Sequence, residues 1–141
     1  MSKHQQTGMR GVYLVAAELA ARGLIASPTS RSAAGADLLV TDSTCANAFS
    51  VQVKTNSKPA SAWLAGVRAQ NISSRSHIYV FVNIQPRTGN HEFFVVPSKF
   101  VAQHVRVEVH PKSTWYAFYK WDAEKFRDRW SLLGASADDA A

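Results

Sequence analysis

The sequence is poor in cysteine and has no long apolar run, and both absences limit what it can encode. Cys45 is the only cysteine among 141 residues, so one chain forms neither an intramolecular disulfide nor a zinc site of several thiolates. No apolar run approaches the roughly 20 residues that cross a bilayer, and residues 1–8 lack the apolar core of a signal peptide. We therefore expect a cytoplasmic protein with no membrane partner.

Acidic residues are also scarce in most of the chain. Residues 1–121 hold 13 Lys and Arg but only five Asp and Glu, a net charge of +8, whereas residues 122–141 carry a net charge of −2. A basic body suits a polyanionic partner, because each phosphate that it neutralises releases bound counterions. Charge therefore favours nucleic acid as the partner, although many basic proteins gain only solubility from such an excess.

The composition is that of a folded protein. Apolar residues make up 46% of the sequence and aromatic residues 11%. A chain of this length fits one domain, which we expect over residues 1–134, followed by a short flexible tail over residues 135–141.

Hydrophobic periodicity and turn residues predict a mixed α/β fold. The predicted elements are a helix over 9–22, strands over 24–27, 36–41 and 49–55, a helix over 59–70, strands over 77–84 and 91–96, a short helix over 98–104, strands over 105–109 and 115–120, and a last helix from 122. A strand–helix–strand crossover implies a parallel strand pair beside an antiparallel hairpin. The sequence thus predicts an αβββαβ core with a central mixed sheet flanked by helices, plus a C-terminal β/α extension.

The predicted strand over 49–55 carries two polar side chains on one face. Alternation places Gln52 and Lys54 together, opposite the valines between them. If residues 42 and 47 face each other across the hairpin loop, paired positions sum to 89, and Asp37 lies across from Gln52. A register slip of one residue would separate them.

These side chains have a shared chemistry. The carboxylate of Asp37 and the amide oxygen of Gln52 are hard donors that suit Mg²⁺ or Mn²⁺. Lys54 would stabilise negative charge or orient an attacking water. Glu18, beside the apolar stripe of the first helix, is a third possible oxygen ligand.

Each of these residues also has a purely structural interpretation. Glu18 and Arg22 have the i, i+4 spacing of a surface ion pair. Asp37 could end a turn, and Gln52 with Lys54 could form the solvent face of an amphipathic strand. The order of elements around them favours the functional interpretation.

Three segments carry a resemblance to a known group: residues 15–24 (VAAELAARGL), 35–39 (GADLL) and 51–55 (VQVKT). With their order of elements, they resemble the PD-(D/E)XK nuclease superfamily, which includes restriction endonucleases and Holliday-junction resolvases. The resemblance covers about residues 8–84 and implies divalent-metal-dependent hydrolysis of phosphodiester bonds.

Matched residue by residue, the resemblance puts Asp37 in the place of the motif's metal-binding aspartate. Gln52 takes the place of its second acid, and Lys54 that of its lysine. The resemblance also makes Glu18 the helix glutamate of resolvase-like members and the Val53 carbonyl a further ligand. Two positions depart from the pattern. Ala36 replaces a weakly diagnostic proline, and Gln52 replaces an acid, which leaves less negative charge for a metal, although Mrr-like restriction enzymes also carry glutamine there.

Basic and aromatic residues outside these segments suggest contacts with a ligand or partner. We expect four basic side chains to meet phosphates, with solvated charge as the alternative: Arg31, Lys58, Arg68 and Arg75. Trp63 could stack on a base, but its helical neighbours favour core packing. The aromatic run over 115–121 favours packing, with a dimer interface as the alternative.

The sequence therefore predicts a Mg²⁺-dependent or Mn²⁺-dependent DNA endonuclease, and a domain this small would form a homodimer to cut both strands. Two alternatives stay open. One is a nucleic-acid-binding module that kept the fold and lost catalysis, for which Gln52 is the motive. The other is a protein-interaction module that uses the aromatic C-terminal region.

Overall fold

The computed structural model describes residues 2–30 and 35–134. The predicted tail over 135–141 and Arg31 lie outside these ranges. The helices are α1 (Lys3–Ala21), α2 (Ser98–His104) and α3 (Lys120–Ala123). The strands are β1 (Ile25–Pro28), β2 (Leu38–Thr41), β3 (Ala48–Asn56), β4 (Ala62–Leu64), β5 (His77–Asn83), β6 (Glu92–Pro97), β7 (Arg106–His110) and β8 (Ser113–Tyr119). Short 3₁₀ turns cover Val67–Gln70, Glu124–Phe126 and Trp130–Leu133.

A five-stranded mixed sheet forms the centre of the fold. Its strand order is β1-β2-β3-β5-β6, and only β3 and β5 run parallel. The predicted hairpin register is confirmed, because Leu38 pairs with Val51 and Thr41 with Ala48. The predicted mixed α/β architecture is therefore correct, and the antiparallel hairpin lies directly beside the parallel pair.

Helix α1 covers one face of this sheet. It begins with a capping box, in which the Ser2 hydroxyl accepts from the Gln5 backbone N–H and the Gln5 side chain accepts from the Ser2 N–H. It ends before Gly23, whose φ of +80° suits a helix C-terminus. Val15 and Leu19 project from α1 into a cluster with the valines of β3 and β5, and Trp130 and Leu133 complete this helix-side cluster.

The opposite face of the central sheet is covered by a second, three-stranded sheet. Its order is β4-β8-β7, and all its pairs are antiparallel. Trp63 and Phe118 project from it onto Phe81 of β5, at ring-centroid distances of 5.2 Å and 4.7 Å. The buried Trp63 indole N–H donates to the Val82 carbonyl at 2.9 Å, so this large side chain loses no hydrogen bond on burial. The expected core position of Trp63 is confirmed.

The helix predicted over residues 59–70 is wrong. The segment forms β4 and a 3₁₀ turn instead, because Ala62–Leu64 pairs with Ala117–Tyr119 at the far end of the chain. Gly66, at φ +86°, interrupts any helix between the two. A distant strand thus overrides the helical preference of an alanine-rich segment.

The last predicted helix is also wrong. Residues 120–133 form α3 and two 3₁₀ turns instead. Asp128, at φ +53°, separates the 3₁₀ turn over Glu124–Phe126 from the one over Trp130–Leu133. The Asp128 N–H donates to the Phe93 carbonyl at 2.9 Å, so pairing with the sheet edge replaces a helical bond. None of the helices in the described ranges has the length and apolarity needed to cross a bilayer.

Replacing Gly11 with alanine is expected to destabilise the fold. A Cβ at Gly11 would lie 1.7 Å from Thr55 Oγ1 and 2.8 Å from Thr55 Cβ, so α1 would have to move away from β3. Overpacking costs about 1–3 kcal/mol, which exceeds the gain of about 1 kcal/mol that alanine brings to a helix interior. Gly8→Ala is the matched control in the same helix, since its Cβ would meet no described heavy atom within 4 Å. Urea unfolding should show Gly8→Ala as more stable than wild type and Gly11→Ala as less stable, and equal stabilisation would contradict the close approach.

Candidate active site

Asp37 lies where β2 and β3 separate. It is the residue before β2, it is half-buried, and its Oδ2 accepts a hydrogen bond from the Val53 backbone N–H at 2.8 Å. The ladder between β2 and β3 ends here, so the carboxylate takes the place of the next backbone acceptor. This bond fixes the side chain against β3 and leaves Oδ1 without that constraint.

Gln52 and Lys54 extend from β3 on the face that turns away from α1. Continuing the observed register places Gln52 across from Asp37 on one side, and Gln52 pairs with Tyr79 of β5 on the other. Alternation along β3 explains the separation of faces, because the valines at 51 and 53 point into the helix-side cluster. The predicted neighbourhood of Asp37, Gln52 and Lys54 thus has the backbone register that it requires.

The Lys54 ammonium occupies an unusual environment for a lysine. Burial lowers its pKa, and the charge of Asp37 acts in the opposite direction. In the part of the chain that the structure describes, no carboxylate lies within 4 Å of Nζ. The crossover passes close to it at Gly66, where an added Cβ would lie 3.9 Å from Nζ. Lys54 is therefore a partly desolvated cation close to Asp37 but not neutralised by a salt bridge.

A cleft opens beside Asp37 on the α1 side. Its volume is about 360 Å³, and Asp37 and Val53 line it together with the N-terminal half of α1 and the end of β1. The helix residues along it are Gln5, Gly8, Met9, Val12 and Tyr13. Val53, the residue expected to offer its carbonyl, thus borders the same space as the aspartate.

A second, smaller cleft lies beside Gly35 and Ala36, the two residues before Asp37. It measures about 240 Å³ and is lined by Gly35 and Ala36, the serines at 50, 74 and 76, Arg68, Ile72 and His77. Hydroxyl groups and a guanidinium dominate its polar surface. Such a lining suits an anionic group more than an apolar one.

His77 belongs to this region, and the sequence did not single it out. Its Nδ1 lies 2.7 Å from the Ser50 hydroxyl, while its buried Nε2 has no partner among the described residues. Burial lowers the pKa of His77, and the Asp37 charge partly offsets the shift. The one available sequence signal was that His77 begins a strand predicted to run parallel to β3, and the structure pairs it with Ser50.

Glu18 is not among the residues that line the cleft beside Asp37. Its carboxylate pairs with Arg22 at 2.5 Å, and that guanidinium lies over the Trp130 ring at 4.8 Å. The cleft meets α1 only as far along as Tyr13, and Glu18 lies a further five residues on, about 7 Å along the helix axis. The i, i+4 ion pair that the spacing also allowed is the arrangement observed.

The expected phosphate-contacting side chains do not share one location. Arg68 lines the smaller cleft, whereas Lys58 and Arg75 are exposed on the segments that lead out of β3 and into β5. Within residues 2–30 and 35–134, these three side chains form no ion pair. Their charge is therefore available to a ligand.

The donors at Asp37 suit a divalent ion only in a limited way. In the described ranges, no group of three His, Cys, Asp or Glu side chains could hold a metal. One carboxylate and one amide oxygen do fit Mg²⁺, which usually keeps several waters and is bound by one or two carboxylates with substrate phosphates. The residues present therefore fit a weakly held ion that shares its ligands with a substrate.

Comparisons with known proteins support the fold. No family model matches the chain, and no curated protein matches it. The solved structure of Hjc, a Holliday junction resolvase from Archaeoglobus fulgidus, is similar with a TM-score of 0.56 and 11% sequence identity, over 92% of this chain and 97% of that chain. The chain thus has the restriction-endonuclease-like fold of that protein over nearly its whole length.

Proposed function

Starting from this fold, we propose that the chain is a metal-dependent endonuclease that hydrolyses phosphodiester bonds in DNA. The observation that carries the proposal is the position of Asp37, bonded to Val53 at the divergence of β2 and β3, with Lys54 close by. A carboxylate beside an unneutralised, partly desolvated ammonium suits a reaction in which negative charge develops on phosphate.

Each residue has a defined task in this proposal. Asp37, Gln52 and the Val53 carbonyl would hold Mg²⁺ or Mn²⁺, which when bound would polarise the phosphate and lower the pKa of water. Lys54 stabilises the charge that builds up on the phosphate oxygens as water attacks phosphorus and the P–O bond to the leaving strand breaks. Its partial burial strengthens this interaction, because the local dielectric is lower than in water.

The neighbouring groups would bind the substrate backbone. Arg68 and the serine hydroxyls of the smaller cleft suit a phosphate next to the one that is cut. Lys58, Arg75 and Arg31 would add electrostatic attraction, which depends on salt concentration. A homodimer in the cytoplasm, cutting both strands, is part of the same proposal.

The test is a cleavage assay of the purified chain on four substrates: supercoiled plasmid, linear duplex, single strand and a four-way junction. Each is incubated with Mg²⁺, Mn²⁺ or EDTA. We expect cutting of at least one substrate that requires the metal ion. Cutting that persists in EDTA would contradict the proposal. So would nuclease activity that separates from the protein on gel filtration.

A second candidate function has its own support. The site offers a single carboxylate, because Gln52 is neutral and none of the α1 residues that line the cleft is an acid. A chain with too few acidic ligands would bind nucleic acid without cutting it. Salt-dependent binding with no turnover in either metal would favour this function.

A further inference from the structure

The hairpin of β7 and β8 presents aromatic rings to solvent on one side. We propose that this side binds unpaired nucleobases of a nucleic-acid strand by stacking. We call it the outer aromatic face and define it by Arg106, His110, Trp115, Tyr119 and Trp121. Trp115 is 43% exposed and Trp121 is 60% exposed, which is far more than core packing of the aromatic run would leave.

The rings form two groups along the hairpin. Near its tip, Trp115 contacts His110 at a centroid distance of 4.1 Å. At its base, Tyr119 and Trp121 stack at 4.1 Å with an interplanar angle of 12°. Trp115 and Tyr119 are four residues apart on one strand, hence about 13 Å at roughly 3.4 Å per residue. Two groups of rings along one line suit a ligand with regularly repeated planar groups, such as the bases of a nucleic-acid strand.

Two polar groups of these residues, the Trp115 indole N–H and the Tyr119 hydroxyl, are already hydrogen-bonded. The Trp115 indole N–H donates to the Ser113 hydroxyl at 3.0 Å. The Tyr119 hydroxyl donates to Glu108, and this bond raises the pKa of Tyr119 and keeps the phenol neutral. A ligand that needs hydrogen bonds finds these groups already engaged, whereas a stacking ligand does not need them.

The charge around the rings suits a phosphate backbone. The Arg106 guanidinium lies 5.9 Å from the Tyr119 ring and 5.7 Å from the Trp121 ring. Within the hairpin, Arg106 and Lys112 form no salt bridge with another described residue. The one acid of the hairpin, Glu108, lies across from Trp115, and its carboxylate accepts from Tyr119. Rings beside cations, with little opposing charge, match bases joined by phosphates.

Unpaired bases fit this face better than a duplex does. The faces of bases in a duplex are covered by their neighbours, so exposed rings gain nothing from stacking against it. A single strand or a splayed end exposes those faces, and stacking on aromatic side chains tolerates any base. The proposal does not depend on the nuclease activity, since a chain that cuts nothing would bind in the same way.

The experiment measures binding in EDTA, where metal-dependent cutting does not interfere. The probes are fluorescein-labelled oligothymidylate of about 15 nucleotides, the corresponding oligouridylate, and a blunt duplex of equal length. We expect the wild-type chain to bind a single strand and its tryptophan emission to be quenched as it does so. Trp115→Ala and Trp121→Ala should each weaken single-strand binding about tenfold and change duplex binding little.

Two further variants separate stacking from general effects. Val109→Ala removes an exposed side chain from the opposite side of the same hairpin, because Val109 pairs with Thr114 rather than with Trp115. It should bind like wild type, as should Trp121→Phe, which keeps a ring. Equal losses for single strand and duplex, or no loss in either alanine variant, would overturn the proposal. So would a wild-type chain that binds neither single strand.

Discussion

Asp37→Asn is expected to lower the rate of DNA cutting by about 10³-fold while the fold remains intact. The asparagine carbonyl oxygen can still accept from the Val53 N–H, so the bond that holds β2 against β3 survives. The negative charge needed to hold a divalent ion is lost. Single-turnover cleavage rates in Mg²⁺, with circular dichroism as the measure of folding, check this prediction.

Asp42→Asn is the matched control for this substitution. Asp42 lies in the loop of the same hairpin, where its carboxylate accepts from Thr44, Ala46 and Asn47, and an asparagine can replace part of that network. The control should cut at a rate close to that of wild type. Duplex binding in EDTA should be unchanged or tighter in Asp37→Asn, because a negative charge near the phosphate has gone. Comparable rates in wild type and Asp37→Asn would remove Asp37 from the site.

Lys54→Met is expected to reduce cutting by about 10²- to 10³-fold and, at the same time, to stabilise the fold. Burial lowers the Lys54 pKa, which means that the charged form is less favourable in the folded state than in the unfolded state. Below both pKa values, burial of the charged form lowers the free energy of unfolding, and an apolar side chain of similar length removes that cost. The urea midpoint should rise as the cleavage rate falls.

Lys54→Arg separates the contribution of the charge to the cleavage rate from that of the side-chain shape. Arginine keeps the charge but carries a broader, planar group, and the ammonium lies close to the crossover at Gly66. We expect partial recovery of cutting relative to Lys54→Met. Lys99→Met, at an exposed position of α2 outside the proposed site, should leave both the urea midpoint and the single-turnover rate close to those of wild type. A Lys54→Met chain that is both destabilised and active would contradict the proposed role.

The relation between Asp37, Gln52 and Lys54 could be predicted because it depends on local geometry. The loop over 42–47 fixes the register of a hairpin, and the alternation of β3 then decides which side chains share a face. Neither step needs information from elsewhere in the chain. The helix α1 was predictable for the same reason, although it begins at Lys3 rather than at residue 9, because the capping box at Ser2 adds stability that periodicity does not reveal.

The features that the sequence did not reveal depend on distant partners. Residues 62–64 form a strand only because β8 lies beside them, and periodicity within the segment contains no trace of that pairing. Glu18 was assigned to the site from its place on a helix, but its partner Arg22 lies over the ring of Trp130, near the other end of the described chain. The exposure of Trp115 and Trp121 likewise follows from where the hairpin lies, since Phe118 of the same run is fully buried.

The pairing of β4 with β8 also determines how late in synthesis the region around the site can finish folding. Asp37, Gln52 and Lys54 are all translated before residue 55, but the crossover beside Lys54 is held in place by Ala117, Phe118 and Tyr119. Contacts between such distant segments form late, because a long loop must close first. A nascent chain therefore carries its acidic and basic site residues through the synthesis of residues 55–116 before β8 can pair with β4. On the proposed function, competence to cut would arise only once nearly all of the described chain has been made.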